Sequence, residues 1–284
     1  MELCLNTSTL ADPGRPDALP LPEKIRLAAA AGFRHIEPWH SELTAWTDGG
    51  GTLAEIKAMV ADAGLSVPSV ISLMGWMDAE GPGEQAAMDE VARRLEQAAA
   101  IGAPRMVASP TIVVGDVGYD IDLDRAAARY RALLELGGQI GVWPMMEFLG
   151  FVRSVHLLEE AVAIAELADH PQATVVLDPF HLWRGGSGFG RIGSLRAEQV
   201  GICHFNDAPA ANPPRGQQSD ADRVYPGDGC LPLEHLLRTL ATIGYDGPLS
   251  LELFNPGYWA LDPAENLRRG LAATRSVMAA AGLA

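Results

Sequence analysis

One pattern of apolar and small residues recurs along the chain. A helical stretch rich in alanine and leucine closes on glycine, and an apolar segment follows at once. AAAAGFRHIEPW, MVADAGLSVPSVISL, QAAAIGAPRMVASP, LLELGGQIGVWPMMEF and LATIGYDGPLSLELF all read this way. Glycine just past a helix end takes the left-handed conformation that other residues resist. The glycines are Gly32, Gly64, Gly102, Gly141 and Gly244, at intervals of 32, 38, 39 and 103 residues. The last interval holds three units of about 34 residues, the size of one strand plus one helix. The apolar runs place strands at 3–8, 35–39, 67–73, 105–109, 143–148, 174–178, 200–206 and 249–254. Helices fill the intervals, among them Pro22–Ala31, with proline in its first turn, and Asp120–Leu136.

Short apolar strands alternating with helices imply a parallel sheet covered by helices. One eighth of the 284 residues is about 35, which matches the repeat. The expected fold is therefore α/β, a single (β/α)8 TIM barrel domain over residues 1–284. An open doubly wound sheet is the alternative architecture. The least core-like stretch, Ala208–Gly229, contains APAANPPRGQQSDAD and follows the seventh strand. Its length marks either a functional lid or disorder. The loop after the first strand, ADPGRPDALPLP, is also long. In a barrel both lie on the face that carries chemistry.

Composition changes this picture little, but charge narrows the function. Hydrophobic residues make up 48% and charged residues 20%, which excludes wholesale disorder. A net charge of −15 repels phosphate backbones and anionic lipid, so neither nucleic acid nor membrane is an expected partner. No apolar run approaches the ~20 residues of a membrane span. The opening MELCLNTST does not read as a signal peptide. Three cysteines, Cys4, Cys203 and Cys230, form no CxxC pair. They read as small buried hydrophobes in a reduced, cytoplasmic protein.

The chemistry sits at strand ends. Glu147 in VWPMMEF, Asp178 in TVVLDPF, His204 in VGICHFND and Glu252 in LSLELF close four consecutive strands. Charge inside an apolar strand is costly unless paired or coordinated. The period of two sorts the faces. Leu249, Leu251 and Leu253 oppose Ser250 and Glu252; Val175 and Leu177 oppose Val176 and Asp178; Cys203 and Phe205 oppose Ile202, His204 and Asn206. The leucine faces suit the helix layer, so the charged faces point into the barrel. Three carboxylates held together need a cation. With one imidazole they make an oxygen-rich site for one divalent metal ion, and manganese, magnesium, cobalt or zinc would fit. Glu37, in HIEPW, points inward on the second strand and suits a hydroxyl. His181, three residues after Asp178, suits a substrate contact.

Other features read as structural. His156 and His235 fall on expected helices, His170 on a turn, and His40 carries no signal. The stretch GFGRIG, Gly188–Gly193, matches a dinucleotide-binding glycine pattern. That mechanism wants the first glycine tightly after a strand. Here His181, Trp183 and Arg184 intervene, so no nucleotide is expected.

DADRVYPGDG at Asp220–Gly229 and GYDGPLSLELFNPGYWALDPAE at Gly244–Glu265 carry a family likeness, joined by the opening MELCLNTST, MEFLG and LDPFH. The chain resembles the xylose-isomerase-like sugar isomerase/epimerase superfamily, nearest its inosose (2-keto-myo-inositol) isomerase branch. The resemblance implies that Glu147, Asp178, His204 and Glu252 are the metal ligands. It also implies that Glu147 and Glu252 are the acid/base pair, and that His181 and Arg223 contact substrate oxygens. Asn6 and Glu37 join them as expected substrate contacts. The implied activity is isomerisation or epimerisation of a small polyhydroxylated ketone by α-proton abstraction, in inositol catabolism. A dehydratase of the inosose or 3-dehydroshikimate type uses the same site and is the alternative. Relatives of this kind are often homodimers or tetramers. HFNDAP, the PPRGQQ insertion, Leu149–Phe151 and Trp183–Gly190 depart from the pattern and put the substrate in question more than the chemistry. A nucleic-acid-cleaving relative would need more histidines and a basic surface. A non-enzymatic sugar-binding barrel would leave the acid/base pair without a purpose.

Overall fold

The computed structural model describes residues 1–112, 121–211 and 217–283. Eight strands form one sheet: β1 (Leu3–Asn6), β2 (His35–Glu37), β3 (Val70–Leu73), β4 (Arg105–Ala108), β5 (Trp143–Met146), β6 (Val175–Leu177), β7 (Val200–Phe205) and β8 (Leu249–Leu251). Their order is β2-β1-β8-β7-β6-β5-β4-β3, and the paired neighbours run parallel. Parallel bridges from His35 to Ser66 and from Trp39 to Ile71 join the two outer strands. The Ile71 N–H donates to the Pro38 carbonyl at 3.0 Å, closing the sheet on itself. The fold is a (β/α)8 TIM barrel, as the repeat predicts.

The helices form the outer layer: α1 (Leu21–Ala31), α2 (His40–Asp48), α3 (Leu53–Asp62), α4 (Glu84–Ala100), α5 (Leu123–Ile140), α6 (Leu158–Leu167), α7 (Pro179–Gly185), α8 (Leu233–Thr242), α9 (Pro256–Trp259) and α10 (Pro263–Ala280). Two of them, α2 and α3, fill the interval between β2 and β3. The strand faces sort as the period of two requires. Leu249, Leu251, Leu253, Cys203, Phe205, Val175 and Leu177 belong to the core beneath the helices. Ile71, Val107, Met145, Val176 and Ile202 pack together as a second, separate core. These are the inward positions of β3 to β7, so they make an apolar floor inside the barrel.

The five repeat glycines all have φ between 69° and 96°. At the end of α6 the left-handed position is taken by Asp169, with φ 46°, so no glycine marks that unit. Helix α5 runs to Ile140 rather than Leu136, because Tyr130, Leu133, Leu134 and Gly137 continue its buried face. It starts at Leu123, where the Asp122 carboxylate accepts from the Arg125 N–H at 3.0 Å. Asp120, the expected start, lies outside the described residues. A side chain at Gly137 would collide with the Val142 carbonyl and the Pro144 ring, so glycine there lets α5 seat on the start of β5.

Two expectations are corrected. His156 precedes α6 rather than lying on it, because Glu160 reaches back to accept from the His156 and Leu157 N–H groups at 2.8 and 3.0 Å. Cys230 is exposed, since its side chain is not part of the core that its neighbours Tyr225 and Leu231 join; Cys4 and Cys203 are buried, and the three are free thiols. Gly190–Ser194, which overlaps the GFGRIG stretch, is a short 3-10 turn that follows α7 rather than a strand. Among the described residues no helix is long and apolar enough to cross a membrane.

Hydrogen bonds hold the described part of the segment after β7. Residues 212–216, which include most of PPRGQQ, lie outside the described residues. Asp207 pairs with Val224 across an antiparallel bridge. Its carboxylate accepts the N–H groups of Ala208, Gly227, Gly229 and Leu231 at 2.8 to 3.2 Å. One buried aspartate thus ties both ends of the segment together and carries Arg223 over the barrel mouth.

Candidate metal centre and active site

Glu147, Asp178 and Glu252 each stand one residue beyond the end of β5, β6 and β8, so they lie at the carboxyl end of the barrel. Glu147 and Glu252 still donate their N–H groups to the Ala108 and Phe205 carbonyls, at 3.1 and 3.2 Å, and strand pairing ends there, short of the apolar pattern. His204 lies within β7, and its inward face follows from the period of two. All four are buried.

His204 is the hub. Its Nδ1 lies 3.3 Å from Glu252 Oε2 and 3.4 Å from Glu147 Oε1. Its Nε2 faces Glu37, 3.3 Å from Oε2. Donor atoms of Asp178, His204 and Glu252 lie within 4.8 Å of one another. Glu147 stands outside that trio, held on its far oxygen by the Ser109 hydroxyl at 3.1 Å.

Arg223 closes the site from above. Its Nη1 donates to Asp178 Oδ2 at 2.8 Å and to Glu252 Oε2 at 2.5 Å. Its Nη2 lies 3.1 Å from His181 Nε2 and 3.3 Å from Asp220 Oδ1. The guanidinium stacks between the Phe180 and Phe254 rings, 5.2 and 5.1 Å from their centroids. Asp178 also caps α7, accepting from the His181 N–H at 3.0 Å, which puts His181 in the first turn beside the carboxylate.

The electrostatics follow from burial opposed by charge. Burial works against a charged imidazole at His204, but Glu252 and Glu37 outweigh it and hold the group well above its usual value. Burial raises Glu252, and the charges of His204 and Arg223 more than reverse this, leaving it below the ordinary carboxylate value. Glu37 is lowered in the same way, burial being overcome by His204. The charged forms of His204, Glu252 and Glu37 thus support one another.

Asn6 and Glu37 lie beside this hub. The Asn6 amide donates to Glu37 Oε2 at 3.1 Å and to Glu252 Oε1 at 3.0 Å. Residues that the sequence reading left unassigned also matter. Asn206, two positions after His204 on the same face, donates to Asp178 Oδ2 at 3.1 Å and accepts from the Phe180 N–H at 3.1 Å. The period of two already pointed it inward. Ser109 and Asp220 carried no such signal.

The family model described as xylose isomerase-like TIM barrel matches residues 25–277. The chain belongs to this family. A 3-dehydroshikimate dehydratase of Pseudomonas putida is 26% identical over 88% of the chain, and the match spans only 39% of that relative's length. An inosose isomerase of Halalkalibacterium halodurans is 27% identical over 76% of the chain and 77% of the relative. The crystal structure of IolI protein with a bound zinc atom has a TM-score of 0.87 and 22% identity, covering 99% of both chains. The two curated relatives are named as enzymes, and the chain shares the fold of the zinc-bound structure.

The donor set can be tested against a divalent cation. His204 Nδ1 is buried and has no hydrogen-bond partner, although two carboxylates face it. Carboxylate oxygens with one imidazole nitrogen suit manganese, magnesium, cobalt or zinc. The residues present fit such an ion.

Proposed function

We propose that this chain is a divalent-metal-dependent isomerase or epimerase acting on a small polyhydroxylated ketone of the ketose or inosose kind. The observation that carries the reading is the convergence of Asp178, His204 and Glu252 donor atoms within 4.8 Å of one another, at the end of the barrel where this fold does its chemistry. Asp178, His204, Glu252 and Glu147 would hold the ion, manganese being the first choice. A bound divalent ion supplies Lewis-acid polarisation of a carbonyl and its neighbouring hydroxyl.

The chain's own groups do the rest. Glu147 and Glu252 approach His204 from β5 and β8 and form the acid/base pair. One glutamate takes the proton α to the carbonyl. Returned to the neighbouring carbon, that proton moves the carbonyl; returned to the opposite face of the same carbon, it inverts the centre. General acid–base groups of this kind contribute roughly 10²–10⁴-fold. Arg223 and His181 supply donors for substrate oxygens from the lid side, and the aromatic rings around them exclude water.

The similarity of 88% of the chain to a 3-dehydroshikimate dehydratase favours a second reading. In it the same abstraction is followed by loss of a β-hydroxyl as water, giving an enone.

The test is NMR in D₂O with manganese-loaded protein, removed before recording. Inososes, free ketohexoses and 3-dehydroshikimate are the substrates to offer. Deuterium at the α-carbon with a shifted carbonyl or inverted centre supports the isomerase/epimerase reading. Water loss to an enone selects the dehydratase. Absence of exchange with all of them overturns both.

A further inference from the structure

We infer that Glu37 is a positioning residue for His204: it holds the Nε2–H and thereby presents Nδ1 to the metal. This rests on the metal-dependent function proposed above and deepens it. Glu37 is fully buried, on β2, across the barrel from β7. Both of its oxygens lie 3.3 to 3.4 Å from His204 Nε2. The opposite ring nitrogen, Nδ1, faces the catalytic carboxylates and has no hydrogen bond. A metal-bound imidazole commonly gives its other N–H to a carboxylate, which fixes ring and tautomer.

The other partners of Glu37 are buried donors of the protein itself. Oε1 accepts from the Ser69 hydroxyl, and Oε2 accepts from Ser250 at 2.7 Å and from Asn6 Nδ2 at 3.1 Å. The orientation of the Asn6 amide is itself fixed. Its oxygen accepts from Trp39 Nε1 at 3.0 Å, from the Ser8 N–H at 3.1 Å and from the Ser8 hydroxyl at 2.8 Å. Its NH₂ group must therefore face Glu37 and Glu252. With these partners counted, the remaining direction from Glu37 leads to the imidazole. A substrate hydroxyl would have to displace one of these buried donors, so Glu37 serves the histidine rather than the substrate.

The experiment compares wild type, Glu37→Gln and His204→Ala. Zinc and manganese affinities come from chelator competition, folding from circular dichroism, and kcat and KM from the active substrate. Glu37→Gln keeps the shape and removes the acceptor charge. Its metal affinity is expected to fall 10–100-fold, with kcat reduced and KM little changed. An unchanged affinity with a raised KM overturns the inference and returns Glu37 to substrate binding. Long-range ¹H–¹⁵N spectra of zinc-loaded wild type give a readout that needs no Glu37 variant. The signal lost in His204→Ala is expected to show a protonated Nε2 and a metal-bound Nδ1; the reverse overturns the inference. If wild type binds metal and His204→Ala weakens it while Glu37→Gln does not, the inference fails and the function stands. A wild type that binds neither ion overturns both.

Discussion

Arg223 and Asp178 meet as a buried ion pair, Nη1 to Oδ2 at 2.8 Å, and the same Nη1 reaches Glu252. The guanidinium therefore sits on two of the three carboxylate or imidazole donors that converge for a cation. Burial would lower its basicity, but Asp178 and Glu252 outweigh this and hold it above the usual arginine value. The segment that carries Arg223 and the donor set are thereby joined through one side chain.

Removing that side chain takes from Asp178 and Glu252 the guanidinium that offsets their buried charge, leaving Glu252 only its ion-pair contact with His204. Arg223→Leu is expected to destabilise the metal-free protein by about 3–5 kcal/mol, the usual cost of breaking a buried pair from one side. A divalent ion restores the missing charge. The rise in Tm on adding Mn²⁺ to chelator-treated protein should therefore be larger for the variant than for wild type. Equal shifts by thermal denaturation would contradict the shared-charge account.

Glu252 and Glu147 are the proposed proton carriers, and neutral isosteres test them without emptying the space. Glu252→Gln and Glu147→Gln are each expected to lower kcat by ~10² or more. Metal content is measured alongside, since both residues also face the ion. Near-wild-type turnover of a fully loaded variant would sink the assignment for that residue.

Much of this centre is visible in the sequence because strand geometry is simple. A period of two puts Glu252 opposite Leu251 and His204 opposite Cys203, and the structure keeps those faces. The five repeat glycines have positive φ because a helix that stops short of a strand needs a left-handed residue there. What resisted reading is long-range. Nothing local to Glu37 tells whether its partner is a substrate or His204, 167 residues away. Asp207 binds four backbone N–H groups up to 24 residues distant, and no composition rule announces that. Asp169 shows the converse failure: a left-handed position filled by an ordinary residue leaves no mark in the sequence.

Beneath the first loop, Lys24 Nζ and Glu42 Oε1 form a fully buried pair at 2.5 Å, tying α1 to α2. Glu42 also accepts from the Thr7 hydroxyl at 2.6 Å and the Trp39 N–H at 2.8 Å, so the network fixes the ends of β1 and β2 that carry Asn6 and Glu37. Glu42→Leu and Lys24→Met are each expected to cost about 3–5 kcal/mol, because each leaves its partner's charge buried and unpaired. The double variant Lys24→Met, Glu42→Leu should recover much of that loss. Urea denaturation of the four proteins gives the coupling energy, and simple additivity of the single variants would argue against a dedicated pair.

His40 makes stability depend on pH. Burial, aided by Arg94 and Arg93 and opposed by Glu90, lowers its pKa from 6.5 to about 4. Between those values the unfolded chain binds the proton and the folded chain does not. Stability must therefore rise with pH across this window, and fall as pH drops from 6.5 towards 4. The group is partly exposed, so solvent reduces the effect to about 1–2 kcal/mol. His40→Gln removes the titration. The stability difference, wild type minus variant, should then climb by that amount between the two pH values. A difference that stays flat across the window in urea titrations would mean that His40 keeps its ordinary affinity for protons in the folded protein.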